Sequence, residues 1–145
     1  MKDVEPYKHT VQYYETDQMS VVHHSNYIRW FEEARVDIFE KIGLGYKHME
    51  EIGIISPVVG VSAKYKTMAK FYDTVVIELK FVKYTGIRLY IEYNITDSVT
   101  GEVRCTGESE HCFIDSDGKI ISLKRSYPEI HEKMQKYIEP PKKED

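Results

Sequence analysis

The sequence predicts an α+β fold: a curled antiparallel sheet wrapped around one long central helix, in a single domain spanning residues 1–145. Three observations carry this. Residues 26–42 hold one broad helical apolar stripe, made of Tyr27, Ile28, Trp30, Phe31, Ala34, Ile38, Phe39 and Ile42. From Ile54 the hydrophobic period changes to two and recurs in four runs separated by short turns. A sheet built from such runs has one face to cover, and no other segment is apolar enough to cover it.

Taken in order, residues 1–6 are expected to fray. Tyr7 to Tyr14, rich in Tyr, Thr and Val, is the first strand. Residues 15–24 have no clean period and form a loop. The helix from Asn26 to Ile42 would be about 25 Å long at 1.5 Å per residue. Gly43 and Gly45 fit its left-handed stop, and 46–53 add a short helical turn. Val59, Val61, Ala63, Tyr65 and Thr67 share one side of a strand that Phe71-Tyr72-Asp73 turns. Val75, Ile77, Leu79 and Phe81 share one side of the next, which Thr85-Gly86 breaks as a hairpin. Ile87, Leu89, Ile91, Tyr93 and Ile95 follow, then a turn over 97–101. Val103, Cys105, Gly107, Ser109, His111 and Phe113 line the last strand, and 128–138 is weakly helical. Residues 139–145 read as a solvated tail. The tight turns imply a meander, and its open outer edges would be closed by pairing with a second copy. A homo-oligomer, dimer or tetramer, is therefore expected.

Composition excludes several classes. At 145 residues one domain is the prior, and it can bury roughly two-thirds of its unfolded surface without a metal or disulfide staple. Net charge is −4 with the signs interspersed, which argues against a nucleic-acid binder. Cys105 and Cys112 fall on opposite faces of one strand and cannot bridge, so they read as buried thiols in a reducing compartment. The opening Met-Lys-Asp-Val-Glu-Pro lacks an apolar leader core, and no run reaches the about 18 apolar residues of a membrane span. A cytoplasmic protein without a transmembrane segment is expected.

The chemistry concentrates between the first strand and the helix. Asp17 sits in a short polar stretch, and the helix begins a few residues later at Ser25 and Asn26. A helix start carries free N–H donors and about half a positive charge. Such a donor can grip a carbonyl oxygen as charge develops on it, a contribution of about 3–4 kcal/mol in the transition state. An aspartate beside the same carbonyl can attack it or activate a water. A carboxylate is a weak base at pH 7, so the carbonyl must be an activated one such as a thioester. The plain alternative is that Asp17 caps its own turn.

His23 and His24 invite a metal reading, but adjacent residues do not face one another on a helix and no third ligand is near, so none is expected. A triad drawn from Ser25, His24 and Asp17 has no support in the spacing, and Ser25 is read as a helix cap. Glu32, Glu33 and Arg35 read as a solvated or interfacial face. Lys64, Lys66, Lys70, Lys83 and Arg88 form either a soluble outer face or a shallow basic patch for the phosphates of a nucleotide-like carrier.

The run from Tyr14 through Glu15, Thr16, Asp17, Gln18, Met19, Ser20, Val21, Val22, His23, His24, Ser25, Asn26 and Tyr27, followed by Phe31-Glu32-Glu33-Ala34-Arg35, resembles the signature of hotdog-fold acyl-CoA thioesterases. Its nearest likeness is to the 4-hydroxybenzoyl-CoA thioesterase-like branch with its Tol–Pal-associated members, and strand order and turns agree along nearly the whole chain. The resemblance implies that Asp17 is the catalytic carboxylate and that the backbone N–H near His24 polarises the carbonyl. It implies that Tyr27 and His23 bear on the acyl pocket, and that Lys64, Lys66 and Arg88 suit the coenzyme A (CoA) portion of the substrate. No cofactor is implied, since CoA is part of the substrate. Two departures stand out. Ser20 occupies a position usually held by Gly, where a positive φ is costly for serine, and His23 replaces a frequent Tyr. The implied activity is acyl-CoA hydrolysis. The alternatives are an acyl-carrier-protein thioesterase, a non-catalytic acyl-CoA-binding or regulatory protein, and a hotdog dehydratase. The central helix here shows no His and Glu arrangement of the kind dehydratase chemistry needs.

Overall fold

The computed structural model describes residues 1 and 3–139. Strand β1 spans Tyr7–Thr10 and is followed by a single 3-10 turn at Tyr13–Glu15. Helix α1 (Ser25–Lys41) and helix α2 (Tyr46–Glu51) come next. Strands β2 (Val58–Tyr65), β3 (Thr74–Tyr84), β4 (Arg88–Asp97) and β5 (Val103–Cys112) build the sheet, and α3 (Leu123–Ser126) and α4 (Pro128–Lys136) close the chain.

All strand pairs are antiparallel, in the order β1-β3-β4-β5-β2. This is the curled, unclosed hotdog sheet. It is not the simple meander read from the turns: β2 crosses to the far edge and pairs with β5 instead of β3. The other edge of the sheet is covered in two steps. β1 runs beside Thr74–Ile77, and Ile138 then bridges Phe81. Glu139, expected in the tail, donates its amide to the Phe81 carbonyl at 2.7 Å. Met1 and Val4 likewise pack against the core instead of fraying. Residues 140–145 of the expected tail lie outside the described residues.

Helix α1 buries Tyr27, Trp30, Phe31, Ala34, Ile38 and Phe39 against the inward sides of β3, β4 and β5. Val75, Ile77, Leu79 and Phe81 alternate into the core from β3, and Leu89, Ile91, Tyr93 and Ile95 do so from β4. Phe31 stacks on Tyr93 with ring centroids 4.2 Å apart. The helix comes this close because Gly107 has no side chain. A Cβ there would run into the Phe31 ring and stand 2.7 Å from the Ser62 carbonyl oxygen. Gly43 ends α1 with φ +81° as expected, whereas Gly45, at φ −55°, is the residue before α2 and not part of the left-handed stop.

The first strand is shorter than the sequence suggests. After Thr10 the chain leaves β3 and turns at Tyr13–Glu15, which aims the following loop at the start of α1. On the opposite edge, Val58, Val59, Val61 and Tyr65 of β2, the outermost strand of the sheet, are each exposed by more than two-fifths. Among the described residues no helix is long and apolar enough to cross a membrane.

Candidate active site

The loop that carries Asp17 is a closed clasp. Thr16 bridges Val22, the Asp17 amide donates to the Val21 carbonyl at 2.9 Å, and the Ser20 amide donates back to the Asp17 carbonyl at 3.0 Å. The Met19 amide donates to Asp17 Oδ1 at 2.8 Å. Asp17 therefore does cap its own turn, and this contact fixes the carboxylate while leaving it half-buried. Ser20 takes φ +64°, so the loop keeps the left-handed corner that glycine would adopt freely. The strain of a serine there is of order 1–2 kcal/mol.

The clasp is tied to the helix start through Glu15. Its carbonyl accepts the His23 amide at 2.8 Å and Asn26 Nδ2 at 2.9 Å. His24 precedes the first helical residue and offers no side-chain cap. Within the first turn, the Ser25 amide faces His23 Nδ1 at 3.2 Å and the Asn26 amide donates to the His23 carbonyl at 3.0 Å. The His24 amide has no acceptor among the described residues. The arrangement sets a fixed carboxylate and a free backbone donor on the two arms of one short loop.

Ser25 is not the helix cap expected from sequence but the first residue of α1, with its hydroxyl 2.8 Å from His23 Nδ1. No carboxylate orients His23 among the described residues. The rings of His23 and His24 do face one another, stacked at 4.2 Å, because both precede the regular helix where adjacent side chains would diverge. Tyr27 is 3% exposed, so its ring packs inside the chain. It lies 4.9 Å from Trp30 and 5.4 Å from Tyr65, and its hydroxyl accepts the Ala69 amide at 3.4 Å. Burial raises the Tyr27 hydroxyl above the ordinary tyrosine range.

The expected basic patch does not assemble within one chain. Tyr65 packs near His24 and Tyr27, which puts its neighbours Lys64 and Lys66 at the helix-start end of the sheet. Arg88 pairs in register with Cys112, whereas Lys64 pairs with Thr106. Six rungs separate those positions, about 20 Å at 3.4 Å per residue. Arg88 also stands 3.9 Å from Glu110. Lys64 lines an outer-face groove of about 550 Å³ that contains Lys80 but also Glu78, Glu92 and Glu108, a poor field for phosphate.

Two further corrections concern charge. Arg35, read as surface, is 6% exposed and donates to the Tyr93 hydroxyl at 3.0 Å. That hydroxyl meets Ser109 Oγ at 2.6 Å, which in turn meets His111 Nε2 at 2.7 Å. Burial, helped by the Arg35 charge, pulls His111 down to about 4. Glu15 went unnoticed in the sequence. The signal was available: a buried tryptophan needs an acceptor for its ring N–H, and the Trp30 ring donates to Glu15 Oε2 at 2.6 Å.

Residues 11–140 match the family model described as the thioesterase-like superfamily. The chain belongs to that superfamily. Thioester hydrolysis is the activity that membership carries. The chain is 33% identical over 122 residues to YneP of Bacillus subtilis (strain 168), whose name assigns it provisionally as an acyl-CoA thioesterase; the match covers 83% of this chain and 88% of the relative. Among solved structures it is similar to the DHNA-CoA thioesterase of Staphylococcus aureus, with 37% identity, a TM-score of 0.86, and 91% and 89% of the two chains covered. The TT1821 protein of Thermus thermophilus is 27% identical with a TM-score of 0.85, over 92% of this chain and 99% of that one.

Proposed function

We propose that this protein hydrolyses acyl-CoA thioesters, with Asp17 as the reacting carboxylate and the His24 amide as the carbonyl-polarising donor. The observation that carries the reading is the clasp itself: a carboxylate held by the Met19 amide, in a loop locked to a helix start whose His24 amide has no acceptor among the described residues. As general base, Asp17 takes a proton from water while the oxygen attacks the thioester carbon. The oxyanion is gripped by the His24 N–H. Collapse breaks the C–S bond, and the departing thiolate recovers the proton. As nucleophile, Asp17 instead forms a mixed anhydride that water then opens. Neither route calls on a metal or a cofactor, and CoA enters as part of the substrate.

Lys66, exposed at the end of β2 beside Tyr65, is the cation we assign to a CoA phosphate, with Lys64 behind it and His23 at the mouth of the acyl site. The bare apolar edge of β2 supports self-association through that strand, since pairing would cover Val58, Val59, Val61 and Tyr65. Buried free Cys105 and Cys112 suit the cytoplasm. The motif's resemblance supports a place in the 4-hydroxybenzoyl-CoA thioesterase-like branch, and the name of the S. aureus relative favours an aromatic acyl group.

The test is thiol release from aromatic and straight-chain acyl-CoAs by wild type and Asp17→Asn. A loss of at least about 100-fold with folding intact is expected, the scale of a lost acid–base group. Equal rates would remove the assignment. A single turnover in ¹⁸O-water separates the two routes: general-base attack puts label in the released acid, whereas an anhydride opened at the Asp17 carboxyl carbon gives the acid an unlabelled Asp17 oxygen and leaves the label in Asp17.

A further inference from the structure

We infer that Glu15 is the positioning residue of the active-site loop, holding Asp17 in register with the His24 amide without touching substrate. The inference rests on the thioesterase reading of Asp17. Glu15 is 4% exposed, so its carboxylate faces the protein on all sides. Oε1 accepts the Gln12 amide at 2.8 Å and lies 2.7 Å from His9 Nε2. Oε2 accepts the Trp30 ring N–H at 2.6 Å. His9 is braced in turn, with Nδ1 3.3 Å from Glu33 Oε2, which also accepts the Tyr7 hydroxyl at 2.9 Å.

These contacts join three elements at one carboxyl group: β1 through His9, the 3-10 turn through Gln12, and the core of α1 through Trp30. The main chain of the same residue completes the tie, because its carbonyl holds the His23 amide and Asn26 Nδ2. Asp17 is only two residues further on. A shift of Glu15 therefore moves Asp17 relative to the donor at the helix start. Displacement of a reacting group by about 1 Å costs up to about 100-fold in rate.

The site requires a carboxylate and not merely a side chain of that length. The Gln12 and Trp30 N–H groups can only donate, so both oxygens of residue 15 must accept. A glutamine, whichever way its amide is turned, would point an NH₂ group at one of them and leave a buried donor unsatisfied. An isosteric change is therefore expected to disturb the loop.

The experiment is a double-mutant cycle on thiol release with Glu15→Gln and Asp17→Asn. Glu15→Gln should lower kcat by about 10-fold or more with KM little changed, because the residue acts through geometry at the reacting centre. Placed on Asp17→Asn, it should cause no further loss, since the group it aims is gone. Equal fractional losses in both backgrounds would mean that Glu15 acts only through general stability, and would overturn the inference. So would a wild-type rate for Glu15→Gln. Should that variant not fold, His9→Phe keeps the ring against Trp30 while removing one contact to Glu15. It must then give the same non-additive pattern with a smaller kcat loss, and additivity would again overturn the inference. Full activity in Asp17→Asn alone overturns the thioesterase mechanism and this inference together. A large Asp17→Asn loss with an additive or silent Glu15 overturns this inference alone.

Discussion

At the start of helix α1 a buried carboxylate, Glu15, meets two obligate donors and a histidine, all within 2.8 Å. Further along the same helix a buried guanidinium, Arg35, donates to the Tyr93 hydroxyl while its Nε finds no acceptor among the described residues. The first network is fully satisfied and reaches the loop of Asp17. The second runs inward through Tyr93, Ser109 and His111, and none of these lies in the Asp17 loop. A satisfied buried charge gives a rigid mount, whereas a partly satisfied one carries a standing cost. The strain is distributed the other way in the backbone, where Ser20 takes its left-handed turn within the Asp17 loop.

The contrast can be broken by substitution. Arg35→Ala should lower stability by about 3–4 kcal/mol, through the cavity and the lost packing of its stem. Arg35→Met should cost much less, since an apolar stem of similar volume removes the charge that lacks a full set of partners. Urea midpoints at constant m measure both. The comparison predicts that kcat of the folded protein stays near wild type, in contrast to Glu15→Gln. Equal destabilisation by Ala and Met would show that Arg35 is favourable for its charge.

Acid sharpens the same comparison. His111 is held near 4 in the folded chain, against an ordinary value of about 6.5. Its contribution is fully present above about 6.5 and is lost as pH falls toward 4, because the unfolded chain binds a proton that the folded chain refuses. The loss across that window is about 3 kcal/mol, levelling off below it. His111→Gln should flatten that part of the stability–pH curve, and Arg35→Met should shrink it by removing the neighbouring positive charge. Identical pH slopes for wild type and His111→Gln would contradict the assignment.

The smallest expected effect is at Ser20. Ser20→Gly should raise stability by about 0.5–1 kcal/mol, the relief of the left-handed serine less the added freedom of the unfolded chain. A rise in Tm of a few degrees checks it. A fall would show that the serine side chain holds the loop in some way other than through its backbone.

Helix α1 and the inward residues of β3, β4 and β5 follow from periodicity alone, because a period of 3.6 or of 2 is a direct image of which side meets the core. Asp17 beside a helix start was legible for the same reason: a polar break before a long apolar stripe marks where donors lie free. The crossover that sends β2 to the edge beside β5 was not legible, since turn residues record where a strand ends and not which strand it joins. Nor were the burial of Arg35, the clasp through Glu15, or the separation of Arg88 from Lys64. Each depends on which side chains from distant segments meet, and only the packing of α1 into the curled sheet decides that. The local chain chose the chemical groups, and tertiary packing chose which carboxylate would be buried, Glu15, and which left half-open, Asp17.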